Sequence, residues 1–195
     1  MKNRVFNVIL LCALALAGCE GTPSSSGDAS SASNSDRVTE TADLSAFPKN
    51  IRPRAAALMD AARSAPDDPQ SAGLAGMFAH AYGSTALAAK YYRRATELAP
   101  DPFAWRYLLG VALMDEGLDK EAAAALRDAQ AIEAKYPPLQ LRLAQLAINR
   151  ADPKEAKRLL VELTAYAPQF AQARYQHGKL ALDQGEINTA IEQLQ

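Results

Sequence analysis

Side chains able to do covalent or metal chemistry are few in this sequence. It holds two histidines, His80 and His177, and two cysteines, Cys12 and Cys19. The histidines stand far apart in the chain and no cysteine lies near either, so no transition-metal ligand spacing is present. There is no Cys-x-x-Cys-His, no glycine-rich phosphate loop and no Gly-x-Ser-x-Gly. Adjacent carboxylates occur at Asp67-Asp68 and Asp115-Glu116. A helix start or a turn accounts for both pairs, through capping and the helix dipole. The expectation is a non-enzyme with no cofactor and no metal.

Cys19 is the reactive residue with informative neighbours. Lys2 and Arg4 give a positive start, and residues 5–16 are mostly apolar. A stretch of about a dozen residues is too short to span a bilayer comfortably. Leu16-Ala17-Gly18-Cys19 follows. The layout resembles the signal peptide and lipobox of bacterial lipoproteins, in which the cysteine thiol is acylated and becomes the new N-terminus. The resemblance implies a signal peptide over 1–18, fatty-acyl (palmitate-type) modification at Cys19, and a membrane-anchored protein of the envelope facing the periplasm. Glu20 is not the aspartate that favours inner-membrane retention, which tilts the expectation towards the outer membrane. Each buried methylene of an acyl chain supplies about 0.8 kcal/mol, and more than one chain makes anchoring stable. With Cys12 removed and Cys19 lipidated, no thiol remains for a disulfide. Losing Lys2 and Arg4 with the leader takes the formal charge from −1 to −3. A mildly acidic chain without a basic block argues against nucleic acid.

Residues 19–48 read as a flexible tether. Ser24-Ser25-Ser26-Gly27 and Ser30-Ser31-Ala32-Ser33-Asn34-Ser35 offer almost nothing to bury. Such a coil reaches on the order of 30 Å.

The rest of the chain is organised by a repeat. Gly76, Gly110, Ala144 and Gly178 are spaced by 34 residues, as are Ala88, Ala122, Ala156 and Ala190, and Tyr92, Leu126, Leu160 and Leu194. A step of this length marks a helix-turn-helix solenoid. The small residues suit a close crossing of two helices, and the large ones fill the space beside it. Gly83, Gly117, Ala151 and Gly185 fall between the helices of each pair, where a left-handed residue ends a helix. Asp101-Pro102 and Asp152-Pro153 read as an N-cap followed by proline in the first turn. Helices are predicted near 69–82, 85–98, 102–115, 119–134, 138–150, 153–166, 170–183 and 187–195. Another, over 52–64, has the pattern of a second helix from a degenerate repeat. Its charged residues, Arg52, Arg54, Asp60 and Arg63, suit the polar outer face of a solenoid cap.

These positions resemble the tetratricopeptide repeat motif: Gly eighth, Ala twentieth, a bulky residue twenty-fourth, Ala twenty-seventh and Pro thirty-second. From Pro69 the chain gives Gly76, Ala88, Tyr92, Ala95 and Pro100. Later repeats depart at Ala134 for Pro, Ala144 for Gly and Leu163 for Ala. The resemblance implies an all-α, right-handed solenoid: a capping half repeat over 49–66, then repeats at about 69–102, 103–136, 137–170 and 171–195, the last incomplete.

It further implies a peptide-binding groove lined by the first helices. Here the lining residues are Met77, His80, Tyr107, Val111, Met114, Leu141, Arg142, Gln145, Ile148, Tyr175 and Lys179. Asn149 and Asp183 share that face. His177, at the usually apolar seventh position, belongs to the core or an interface. Some members clamp a C-terminal carboxylate with Lys and Asn, but Gly73, Met77, Ala104 and Leu108 stand at the clamp positions, which argues against that ligand.

Ile187, Ile191 and Leu194 form an apolar stripe on the last predicted helix. More of a longer chain, a second subunit or simple fraying would each account for it. The expected function is a lipid-anchored adaptor that binds a protein segment and serves assembly of an envelope complex. The alternative is the recruitment module of a longer envelope enzyme or redox protein. Lipidation predicts that Cys19→Ser moves the protein from the membrane to the soluble fraction on cell fractionation; undiminished membrane retention would count against it.

Overall fold

A computed structural model of the protein describes residues 43–99 and 103–195. The leader, Cys19, most of the Ser-rich stretch and the Asp101-Pro102 cap lie outside the described residues. A short 3-10 helix, Leu44–Ala46, precedes α1 (Arg52–Ser64). Four hairpins follow: α2 (Pro69–Ala81) with α3 (Thr85–Leu98), α4 (Phe103–Asp115) with α5 (Asp119–Ile132), α6 (Pro137–Asn149) with α7 (Pro153–Tyr166), and α8 (Ala171–Asp183) with α9 (Ile187–Leu194). No strand occurs among the described residues. Each helix from α1 onwards packs on the next, and α4 also reaches α6.

Local chemistry sets the helix ends. Asp68 accepts hydrogen bonds from the Gln70 and Ser71 amides at 3.1 and 3.0 Å, with Pro69 in the first turn. Asp152 accepts from the Glu155 amide at 3.1 Å, with Pro153 next. Each hairpin turns on one left-handed residue: Gly83 (φ 76°), Gly117 (72°), Ala151 (54°) and Gly185 (75°). At each, two backbone bonds close the helix end. Gly83 N donates to His80 O at 3.0 Å and Ser84 N to Ala79 O at 2.9 Å; Ala151 N donates to Ile148 O and Asp152 N to Ala147 O, both at 2.9 Å. This is the paired pattern of a Schellman motif.

Inside each hairpin the eighth residue lies under the twenty-fourth. A Cβ on Gly76 would stand 2.8 Å from the Tyr92 ring, one on Gly110 2.6 Å from Leu126, and one on Gly178 2.6 Å from Leu194. Ala88, Ala122, Ala156 and Ala190 are buried on the facing helices. In the third hairpin Ala144 and Leu160 are both fully buried, so one extra methyl is accommodated there.

Hairpins are joined by larger groups. Trp105 of α4 lies across Gly73 of α2, where a Cβ would come within 2.3 Å of the indole. The same indole stacks on Tyr92 at 6.4 Å.

The N-terminal segment departs from expectation. Residues 43–48, placed in the tether by composition, are folded. Phe47 is buried against Phe78 and Tyr82, with ring centroids 5.9 and 6.2 Å away. Arg52 was expected on the outer face of the cap. It folds back instead, donating from Nε to Phe47 O at 3.0 Å and from Nη2 to Ser45 O at 3.1 Å. One large ring with an aromatic socket outweighs a weakly hydrophobic neighbourhood. Arg54, Asp60 and Arg63 are exposed.

Ala151 carries a Cβ in a conformation that costs such a residue about 1–2 kcal/mol. Ala151→Gly relieves this, offset by roughly 0.4–1 kcal/mol for the freer unfolded chain. Urea unfolding should therefore show Ala151→Gly more stable by about 0.5–1 kcal/mol. A loss of stability would contradict the left-handed turn.

Candidate functional site

The expected groove residues sit on the first helices, α2, α4, α6 and α8, at the fifth, sixth, ninth and twelfth repeat positions. They fall into three groups there. Met77 on α2, Ile148 on α6 and Tyr175 on α8 are 46%, 37% and 58% exposed. Lys179 lies exposed one turn beyond Tyr175, and Asn149 and Asp183 are also open to solvent. These are the side chains free to meet a ligand.

Val111 and Leu141 are 8% exposed each, so they form floor and not contact surface. Met114 packs, partly buried, on the core. His80 is engaged: its Nε2 lies 3.0 Å from Asp115 Oδ2, and its Nδ1 3.5 Å from the Tyr92 hydroxyl. It ties the end of α2 to the end of α4. Beside it, Thr85 donates to Glu116, linking the first turn of α3 to the turn after α4.

Tyr107, Arg142 and Gln145 come together. Tyr107 stacks parallel to Phe103 at 6.3 Å and meets Tyr136 edge-on at 5.4 Å, while Phe103 and Tyr136 meet at 5.2 Å. Burial pushes the Tyr107 hydroxyl above its ordinary pKa, and Arg142 beside it works the other way. Arg142 Nη1 donates to Gln145 Oε1 at 3.1 Å. The triad clamps α4 to the start of α6, so Tyr107 is a structural residue with one edge on the face. Tyr136 was missed from sequence. Its place just before Pro137-Pro138, with Phe103 and Tyr107 four apart, was the available signal. Burial raises Tyr92 further, to about 12, so its hydroxyl stays protonated.

His177 is 5% exposed, in the core as expected. Nδ1 lies 3.4 Å from Thr164 Oγ1, and Nε2 has no partner among the described residues. Burial holds its pKa below the ordinary value, with the Lys157 charge adding to the effect and Glu186, Glu192 and the nearby Gln193 side chain opposing it.

Among the described residues no group of three or more His, Cys, Asp or Glu is placed to hold a metal. No described helix is long and apolar enough to cross a membrane.

No family model and no curated protein matches this sequence. Solved structures do. MamA from Desulfovibrio magneticus RS-1 superposes with a TM-score of 0.67 at 16% identity, over 74% of this chain and 82% of that one. YrrB, described as a TPR protein with an unusual peptide-binding site, gives 0.60 at 20% identity over 71% and 72%. The fold is the tetratricopeptide-repeat solenoid. PilW, a type IV pilus biogenesis factor, shares the same architecture with a TM-score of 0.65 at 19% identity, covering 74% of this chain and 67% of its own. At such identities the likeness is one of fold.

Within that solenoid His177 is the seventh-position outlier among Ala75, Leu109 and Leu143. Its pKa is lowered on folding, so the unfolded chain takes up the proton first as pH falls. Stability from this residue is present above about pH 6.5 and is lost as pH drops below it. His177→Leu should remove part of the loss between pH 7 and 5 in thermal melts. It should also gain about 1 kcal/mol at neutral pH by eliminating the unpaired Nε2. An unchanged pH profile would contradict the buried neutral imidazole.

Proposed function

We propose that the protein is a non-enzymatic, lipid-anchored adaptor of the bacterial envelope that captures a protein segment on the face of its first helices. The observation that carries this is the exposure of Met77, Ile148 and Tyr175 on that one face. Exposed aromatic and methionine side chains beside a few polar groups are what a peptide- or helix-receiving surface needs. Arg142, Gln145 and Lys179 supply the polar groups. The peptide-binding site named for YrrB and the pilus-assembly role named for PilW are consistent with such a use of the same fold. The anchor reading is supported by Leu16-Ala17-Gly18-Cys19; such an anchor would hold the adaptor at a membrane facing the periplasm, and Glu20 tilts the reading towards the outer membrane. Serving the assembly of an envelope complex fits a scaffold held on a tether.

The face and the framework can be tested separately. Met77→Ala with Tyr175→Ala alters exposed side chains, whose removal shifts stability by about 0.5 kcal/mol or less. Co-purification of cross-linked envelope partners should fall severalfold, with melting unchanged. Tyr107→Ala should instead cost about 2–3 kcal/mol, because it opens the triad. Undiminished capture by the Met77/Tyr175 double variant would place the binding surface elsewhere.

A further inference from the structure

The outer side of the solenoid has grooves between successive second helices, and their side chains follow the same repeat register. Between α3 and α5 the groove is bridged: Arg93 Nη2 lies 3.6 Å from Glu121 Oε2. One repeat later the equivalent residues are Arg127 and Glu155. They do not pair. Arg158, standing where the preceding repeat has Ala124, takes Glu155 with two hydrogen bonds of 2.7 Å. Arg158 also reaches Glu162 at 3.3 Å. At the helix end Arg150 replaces the preceding repeat's Glu116, reversing the sign. Arg127 and Arg150 have no ion-pair partner among the described residues.

The unbridged groove holds a cavity of about 350 Å³ between α5, α6 and α7. Its floor is apolar, from Ala123, Leu143, Leu146 and Leu159, all buried. Its rim is Arg127, Arg150 and Arg158. Asp152 and Glu155 also line it, but the first caps α7 and the second is occupied by Arg158. A cationic rim over an apolar floor, on a chain of formal charge −1, is a local reversal of sign.

We propose that this groove is a second docking site, for an acidic peptide segment bearing an apolar side chain. Carboxylates of the segment pair with Arg127 and Arg150, whose guanidinium forks match them. The apolar side chain enters between Leu143, Leu146 and Leu159. A lipid surface fits less well, because the floor is recessed between helices where a flat bilayer does not reach. The site is independent of the face proposed above.

The test is fluorescence anisotropy on the chain without its leader, with a labelled peptide of alternating glutamate and leucine pairs. A lysine-leucine peptide and phosphatidylglycerol vesicles serve as comparisons. The acidic peptide should bind and the lysine peptide should not. Arg127→Glu with Arg150→Glu should weaken binding at least tenfold without lowering the melting temperature. Glu155→Gln takes away the closer of the two carboxylates that Arg158 holds, and a negative charge from the groove, and should tighten binding severalfold, an effect that damage to the fold cannot mimic. Met77→Ala with Tyr175→Ala should leave binding unchanged. The proposal is overturned if the acidic peptide fails to bind, if the arginine or glutamate variants leave its affinity unaltered, if the Met77/Tyr175 variant abolishes it, or if the arginines hold vesicles and not peptide.

Discussion

In three of the four hairpins the two helices approach until no side chain fits between them at one point, and in the third hairpin there is room for one methyl. At Gly76, Gly110 and Gly178 the opposing Tyr92, Leu126 and Leu194 lie where a Cβ would be. A protein interior is close-packed, and adding a methyl there forces neighbours to move. That crossing fixes the angle of each hairpin, and the left-handed turn fixes its length. Once both are set, the next hairpin has one place to stack. Trp105 over Gly73 shows the same constraint between hairpins, since the indole occupies the volume that a side chain at residue 73 would need.

Much of this was legible because backbone geometry dictates it. The eight helices of the four hairpins begin and end within two residues of their expected bounds. Gly83, Gly117, Ala151 and Gly185 all adopt positive φ, including the alanine. Asp152 caps α7 as its pairing with Pro153 suggested. Positions tied to the backbone recur every 34 residues, so four weak signals reinforce one another. The contacts that escaped sequence reading occur once each. Phe47 enters a socket made by Phe78 and Tyr82, and Arg52 staples the segment that carries it. Nothing periodic announces such a hook. For the same reason the groove residues were sorted imperfectly. Register puts Val111 and Tyr175 on the same face, but only packing decides that one is buried and the other open.

This division between repeated and unrepeated residues bears on function. What repeats builds the scaffold, and MamA, YrrB and PilW have a similar fold at identities of 16% to 20%. What does not repeat along the chain gives its faces their chemistry: Met77, Ile148 and Tyr175 on the first-helix face, and the arginines of the outer groove. Polar contacts between hairpins, such as His80 with Asp115 and Lys157 with Glu186, hold neighbouring hairpins together without closing the first-helix face. A packed frame with open faces suits recognition, because a preformed surface spends little ordering entropy on binding.

Site-specific photo-cross-linking in intact cells tests the central claim most directly. A photoreactive amino acid would replace Ile148 or Tyr175 on the first-helix face, and Lys90 or Glu97 on exposed positions of α3, away from the outer groove of α5 to α7. An adaptor using the first helices predicts discrete protein adducts from Ile148 and Tyr175 and none of the same mass from Lys90 or Glu97. Adducts of the same mass and equal yield from both sets, or from α3 alone, would contradict it.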